Sequence, residues 1–364
     1  MNFILWNADP TIFTIPGLDR EIRWYGLLFA VGFWVGSEII KRVFKLERKD
    51  IKLTEPLLMY MIVGTIVGAR LGHVFFYGPY FDGVNQYGEF EQGYLSHPLS
   101  IFKVWEGGLA SHGAGIGLIT AIFLFYRKNP DYKFIWLLDR IAIAIALAGC
   151  LIRFGNFMNS EIIGTPSKNG IVFIRQTTNI INSSFKNIDD IKYTTLQKDT
   201  IIEDFTYPKL IVDLTFSKRI DQNSINLTLH QILNKRKDQV THSDILLSQN
   251  MPLVTYQNGK KASFELYVVP RHPSQLYESI SCLILFIIMF FLYNKLQVNI
   301  PQGLLSGIFF VFVFSLRFLY EYIKENQVAM EDGMLLNMGQ KLSIPMVLFG
   351  VFLIVNALIK KNKV

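Results

Sequence analysis

The sequence predicts an all-α polytopic membrane protein with about seven transmembrane helices, its amino terminus outside and its carboxyl terminus in the cytoplasm. A small β-rich extracytoplasmic insertion is expected between helices four and five. Three observations carry this reading. The chain of 364 residues is 51% hydrophobic and 18% charged, with a mean hydropathy of +0.29, too apolar for an ordinary soluble domain. The apolar residues fall into windows of about 18 to 22 residues, the length that crosses roughly 30 Å of hydrocarbon. Lysine and arginine gather in alternate loops.

The expected spans, in order, are Trp24 to Phe44, Pro56 to Tyr77, Leu109 to Tyr126, Phe134 to Phe154, Leu276 to Tyr293, Gly303 to Ile323 and Leu342 to Ile359. Met1 to Gly17 lacks a basic start and is broken by Asp9, Pro10 and Pro16, so the first span is read as retained rather than cleaved. The loop after span one carries Lys41, Arg42, Lys45, Arg48, Lys49 and Lys52; that after span three carries Arg127, Lys128 and Lys133. The carboxyl end adds Lys360, Lys361 and Lys363, whereas the loop between spans two and three has only Lys103. Positive loops stay in the cytoplasm, which sets the orientation.

Between spans four and five, residues 165–269 are polar and contain short alternating runs, Leu210 to Phe216 and Ser263 to Val269, the pattern of half-buried strands. Three parts follow: 1–164 with four spans, 165–269 as the outer β-rich insertion, and 270–364 with three spans. The net charge of +7 is mostly topogenic loop charge plus this insertion, which suits anionic lipid head groups and gives no sign of nucleic-acid binding. Cys150 and Cys282 lie inside spans, as small apolar side chains do, and no cluster has metal-ligand spacing, so neither metal nor cofactor is expected.

With that topology the intramembrane polar residues fall at one outer level: Tyr25; Arg70 and His73; His112; Arg153, Asn156, Asn159 and Glu161; Gln275, Tyr277 and Glu278; Arg317 and Glu321. An arginine at a helix centre costs roughly 2.5–3.5 kcal/mol on insertion scales, so such residues face partners or a water-filled cavity. Singly, each also fits snorkelling or a structural ion pair; together they favour a site. Two arginines offer planar forks for a phosphate, two acids could orient them, and His112 is of the side-chain type whose unperturbed pKa lies near neutrality. Gly64, Gly68 and Gly72 fit close helix contact, and the glycines around His112 lack the Gly-Lys-Ser/Thr of a P-loop.

Arg153, Gly155, Asn156, Phe157, Asn159, Glu161 and Gly164 match a long signature, and on these residues the chain resembles the bacterial prolipoprotein diacylglyceryl transferases. The resemblance extends to Arg23-Trp24-Tyr25-Gly26, Gly68-Ala69-Arg70-Leu71-Gly72, Trp105-Glu106-Gly107-Gly108 with His112-Gly113, Arg271 through Glu278, and Met338-Gly339-Gln340 followed by Ser343-Ile344-Pro345. It departs from the family pattern at Ile152 (glycine), Val313 (tyrosine) and Lys324 (arginine).

The resemblance implies an enzyme of the bacterial cytoplasmic (inner) membrane. It would transfer the diacylglyceryl group of phosphatidylglycerol to the thiol of the lipobox cysteine in a prolipoprotein signal peptide, forming a thioether and releasing glycerol phosphate. His112, Arg317 and Glu321 are then the expected catalytic residues, His112 acting as a base or as a hydrogen-bonding group. Arg153, Asn156, Asn159, Glu161, Tyr25, Arg70 and Gly164 are expected to bind phosphatidylglycerol. A transporter or lipid-binding scaffold would use the same basic pocket without chemistry; it explains the arginines but not the signature.

Overall fold

The computed structural model describes residues 3–17, 20–76, 78–84, 90–104, 108–185, 187–202, 205–237, 245–246, 255–324 and 335–361. The Trp105-Glu106-Gly107 part of the third motif lies outside these residues. Among the described residues, seven long helices occupy the expected apolar windows: α1 (Trp24–Leu46), α2 (Thr54–Phe76), α3 (Ser111–Lys128), α4 (Phe134–Met158), α7 (Ser274–Leu296), α8 (Leu304–Tyr320) and α9 (Met338–Lys361). Among the described residues, five stretches are long and apolar enough to cross a membrane: Ile51–Phe76, Phe134–Met158, Ser274–Asn299, Leu304–Ile323 and Met338–Lys360. The helix α1 carries Glu38, Lys41, Arg42 and Lys45 in its second half, and α3 opens on Ser111 and His112 and holds three glycines, which dilutes the apolar density of both.

The chain forms two compact units. One comprises Phe29–Leu151, Ser281–Ser315 and Ile344–Val364. Its apolar core gathers around Phe44, Ile122, Phe125, Ile143, Leu285, Met289 and Leu305. Helices α2 and α3 pack backbone to backbone: a Cβ on Gly68 would stand 2.4 Å from the Gly113 carbonyl oxygen, and one on Gly117 2.1 Å from that of Gly64. Any side chain there would force the pair apart, the physical reason for the four-residue glycine spacing. Two buried polar locks, neither foreseen from sequence, tie this unit together. The Glu47 carboxylate accepts bonds from Trp136 Nε1 (2.7 Å), Arg140 Nε (3.0 Å) and Tyr293 Oη (3.0 Å). Asp139 accepts from the Gly303 and Ser306 amides (2.7 and 2.8 Å) and from Ser306 Oγ (2.6 Å), so it satisfies orphan N–H groups at the start of α8.

The other unit comprises Met1–Leu28, Ile152–Ile280 and Leu316–Ser343. It contains an antiparallel sheet in the order β10 (Thr255–Gln257), β11 (Lys261–Val268), β8 (Phe205–Phe216), β7 (Ile188–Ile202), with β9 (Ile245–Leu246) also paired to β11. The two alternating runs fall in β8 and β11, and their apolar members Val212, Leu214, Phe216, Phe264 and Leu266 are buried. Helices α5 (Arg175–Ser184) and α6 (Gln222–Lys237) cover that face through Ile181, Ile225 and Leu229. Strand β1 (Ile4–Trp6) runs parallel to β6 (Pro166–Phe173), and the hairpin β2 (Thr11–Ile15) to β3 (Arg20–Arg23) leads into α1. In the unit that holds α2, a short antiparallel pair, β4 (Gly83–Val84) with β5 (Phe90–Glu91), follows that helix.

Candidate active site

Within the unit that holds the sheet, the end of α4, the start of α7, the end of α8 and the turn that follows it bring five charged side chains together. The helix α4 ends in a Schellman turn: the Ser160 amide donates to Phe157 O and the Glu161 amide to Asn156 O, both at 3.0 Å, with Ser160 at φ 55°. This fold-back sets Glu161 beside Asn156, and its carboxylate accepts from Asn156 Nδ2 (3.4 Å) and Asn159 Nδ2 (3.0 Å). Ile162 also has positive φ, 57°, which is strained for a β-branched residue. The strained turn is held from α7, where Ser274 Oγ donates to Ile162 O (2.7 Å) and Gln275 Nε2 to Glu161 O (2.5 Å).

The signature glycines have steric reasons. A Cβ on Gly164 would lie 2.5 Å from His272 O and 2.7 Å from Ile323 O, because the segment after α4 is bonded to both neighbours: Gly164 N to His272 O (3.0 Å) and Thr165 N to Ile323 O (2.9 Å). On Gly155 it would stand 3.0 Å from Tyr25 Cα, so this glycine admits the first turn of α1 against α4. Phe157 is buried against Trp6 and Phe173, with ring centroids 4.3 and 6.0 Å away.

The charges interlock. Glu278 meets Arg153 Nε at 2.5 Å with one carboxylate oxygen and Lys324 Nζ with the other. Glu321 faces Arg317 Nε (3.8 Å) and Lys324 Nζ (3.7 Å), and accepts from Asn337 Nδ2 at 3.0 Å. Asn337 is itself fixed by a capping box with Gln340, amide to side chain in both directions (2.8 and 3.1 Å), which is why α9 starts at Met338 rather than at the expected Leu342. A Cβ on Gly339 would meet Glu321 Oε1 at 2.6 Å. The two arginines are reached through Nε, and their side chains are 23% and 25% exposed, against 7–14% for Glu278, Glu321 and Lys324. The acids and the lysine therefore form the buried floor, and the guanidinium groups form the open side. Burial pushes the Lys324 amine below the ordinary lysine range, opposed by the Glu278 carboxylate.

The structure thus brings together Tyr25, Arg153, Asn156, Asn159, Glu161, Gly164, Arg317 and Glu321 in one unit. Arg70 and His112 belong to the other. There Arg70 is buried and gives its donors to backbone carbonyls, Nε to Ile101 O (2.8 Å), Nη1 to Gly108 O (3.2 Å) and Nη2 to Ser100 O (2.6 Å), so it holds the loop that leads to α3. His73 pairs with Tyr94 Oη (3.2 Å), and His112 is half-buried in the first turn of α3. Asn337 had no part in the sequence reading; its signal is the Asn-x-x-Gln spacing that opens the last apolar run.

These features define a class, a multi-pass membrane protein with a cationic site framed by carboxylates at its helix ends. The sequence model of the prolipoprotein diacylglyceryl transferase family matches residues 10–356. Relatives named phosphatidylglycerol–prolipoprotein diacylglyceryl transferase are similar throughout: that of Tolumonas auensis is 34% identical over 352 residues, 96% of each chain. Those of Chloroherpeton thalassium (32%; 97% of this chain, 94% of the relative) and Porphyromonas gingivalis (33%; 98% and 95%) are comparable. The chain belongs to the prolipoprotein diacylglyceryl transferase family and is a transferase.

Proposed function

We propose that this transferase moves the diacylglyceryl group of phosphatidylglycerol to the thiol of the lipobox cysteine of a prolipoprotein, in the bacterial inner membrane. The observation that carries the reading is the pair of partly exposed arginines, Arg153 and Arg317, whose Nε atoms lie 2.5 Å from Glu278 and 3.8 Å from Glu321, each carboxylate being the more buried partner. Such an arrangement leaves the outer edge of each fork for a phosphate ester. In the reaction a base takes the thiol proton, with His112 the candidate base or else a hydrogen-bond donor to the lipid. The thiolate attacks the glycerol carbon that carries the phosphate; a C–S bond forms, the C–O bond breaks, and the electron pair leaves on glycerol phosphate. Arg153 and Arg317 stabilise that growing charge, and such preorganised electrostatic stabilisation does most to lower the barrier in many enzymes. Glu278 and Glu321 position the arginines, Lys324 is a further cation on both acids, and Asn156, Asn159, Glu161, Tyr25 and Gly164 shape the lipid site. Arg70 acts through the loop before His112.

In the membrane, α1 and α3 complete seven spans, the amino terminus and the insertion of residues 165–269 lie outside, and the carboxyl terminus lies in the cytoplasm. The loop charges support this orientation. Purified protein in phosphatidylglycerol vesicles, given a lipobox peptide, is expected to add a diacylglyceryl mass to the cysteine and release glycerol phosphate in equal amount. Binding of the lipid without either product would favour the scaffold reading instead.

A further inference from the structure

The carboxylate that faces Arg317 is held on its other side by an uncharged group. Glu321 Oε1 lies 3.8 Å from Arg317 Nε and 3.7 Å from Lys324 Nζ, beyond hydrogen-bond range and almost equally far, so neither cation alone fixes its direction. Its Oε2 accepts from Asn337 Nδ2 at 3.0 Å, the shortest bond to this carboxylate among the described residues. The Asn337 amide has one workable orientation. Its Oδ1 accepts from the Gln340 amide (2.8 Å), so its Nδ2 must face Glu321; turned over, it would set N–H against N–H and oxygen against carboxylate. The Asn337 N–H in turn donates to Gln340 Oε1 (3.1 Å), and the buried Gln340 donates through Nε2 to Phe318 O in the last turn of α8 (3.4 Å). Asn337 is thereby tied to the turn of α8 that carries Arg317.

We propose that Asn337 is a positioning residue of the transferase: through Glu321 it aims the Arg317 guanidinium at the phosphate of the leaving group. This rests on Arg317 binding that phosphate ester. Without the amide donor, Glu321 is free to turn toward the compact ammonium of Lys324, and Arg317 loses the counter-ion that orients it. Asn337→Asp separates positioning from capping. Aspartate caps a helix as well as asparagine does, so α9 keeps its start, but an acceptor replaces the donor opposite Glu321. The new carboxyl faces that acid, with Arg317 and Lys324 on the acid's other oxygen, Glu278 beyond Lys324, and the exposed Lys341 one turn along α9. Neighbouring carboxyls hold a shared proton more tightly than either would alone, and the protonated one donates to the other, so the lost bond returns as pH falls.

The full-length variant and the unaltered protein are compared in phosphatidylglycerol vesicles with a lipobox peptide, at about pH 8 and about pH 5.5, on either side of a raised carboxyl pKa. Turnover of the variant relative to the unaltered protein is expected to fall about tenfold or more at the higher pH, the worth of a hydrogen bond to a charged group, and to recover at the lower. The loss should lie in kcat, with KM for the lipid near normal, because the leaving group reaches its full charge only as the bond breaks. In a Glu321→Gln background, where the new amide can donate to the aspartate, the same change should cost no more than about twofold. Full turnover of Asn337→Asp at the higher pH, an equal relative loss at both, or an undiminished loss in the Glu321→Gln background would each overturn the proposal. If that variant does not reach the membrane, Asn337→Ser decides, since its shorter side chain caps α9 but cannot span both bonds: a lower kcat supports the proposal and full turnover overturns it. An unaltered protein that binds the lipid but forms neither thioether nor glycerol phosphate would instead fail the reaction itself, and the role of Asn337 with it.

Discussion

At Arg153 a lysine would keep the charge but lose the planar fork, and charge-assisted bidentate bonds are roughly twice as strong as neutral ones. Arg153→Lys is therefore expected to lose most transferase activity and Arg153→Ala more, with both proteins at normal membrane levels. Full activity in the lysine variant would mean that charge alone suffices. Absence of Arg153→Ala from the membrane would instead make the ion pair with Glu278 its main role. Glu278 bears two cations at once, so Glu278→Gln leaves Arg153 and Lys324 without their shared counter-ion. Breaking one partner out of a buried pair costs about 3–5 kcal/mol, and the 23% exposure of Arg153 puts the expected loss at the lower end of that range. Adding Lys324→Met should restore part of the stability, read by thermal unfolding, while transferase activity stays low. Additive effects of the two changes would show that the pair is not coupled. These residues were legible to different degrees. Arg153, Asn156, Asn159 and Glu161 stand in one motif, whereas the grip of Glu278 on Arg153 joins two helices far apart in the chain, and periodicity carries no information about such a pairing.

Elements were legible where burial is one-sided or complete, because apolar windows and alternating runs record it directly. The polar locks inside spans were not. Asp139 and Arg140 interrupt an apolar window, and nothing in its periodicity shows that Asp139 caps α8 or that Arg140 binds Glu47. Asp139→Ala should weaken that cap by about 0.5–2 kcal/mol, the usual range for such losses, seen as a lower unfolding temperature in detergent. The end of α4 offers a change of opposite sign. Ser160 occupies the left-handed position of a Schellman turn that glycine takes most readily, and a left-handed L-residue costs roughly 1–2 kcal/mol. Ser160→Gly is expected to raise stability by about 1 kcal/mol while leaving the Glu161 contacts intact. A decrease would show that the serine side chain contributes more than the backbone strain it imposes.

For the whole molecule, the division of labour between the sheet and the site decides how much of the chain can be removed. The sheet core of Val212, Leu214, Phe216, Phe264 and Leu266 closes on α5 and α6 through Ile181, Ile225 and Leu229. Strand β6 is different. It pairs with β1 through Ile171, Val172 and Phe173, and Pro166 and Ile171 both bridge to Arg271, whose Nη1 donates to Gly164 O at 3.2 Å. A Cβ on Gly170 would lie 2.4 Å from the Arg271 carbonyl oxygen, so this strand is packed directly against the segment that begins α7. Two deletions should therefore behave differently. Replacing residues 175–267 by a short Gly-Ser linker removes the sheet and both of its helices but keeps β6, β1 and the Arg271 bridges, and some transferase activity should survive. Replacing residues 168–261 removes most of β6, leaves β1 without its partner and exposes Arg271. Its activity should fall well below that of the first deletion at equal membrane levels. Equal activity in the two would mean that β6 does not support the site, and complete loss in both would place the sheet itself within the catalytic machinery.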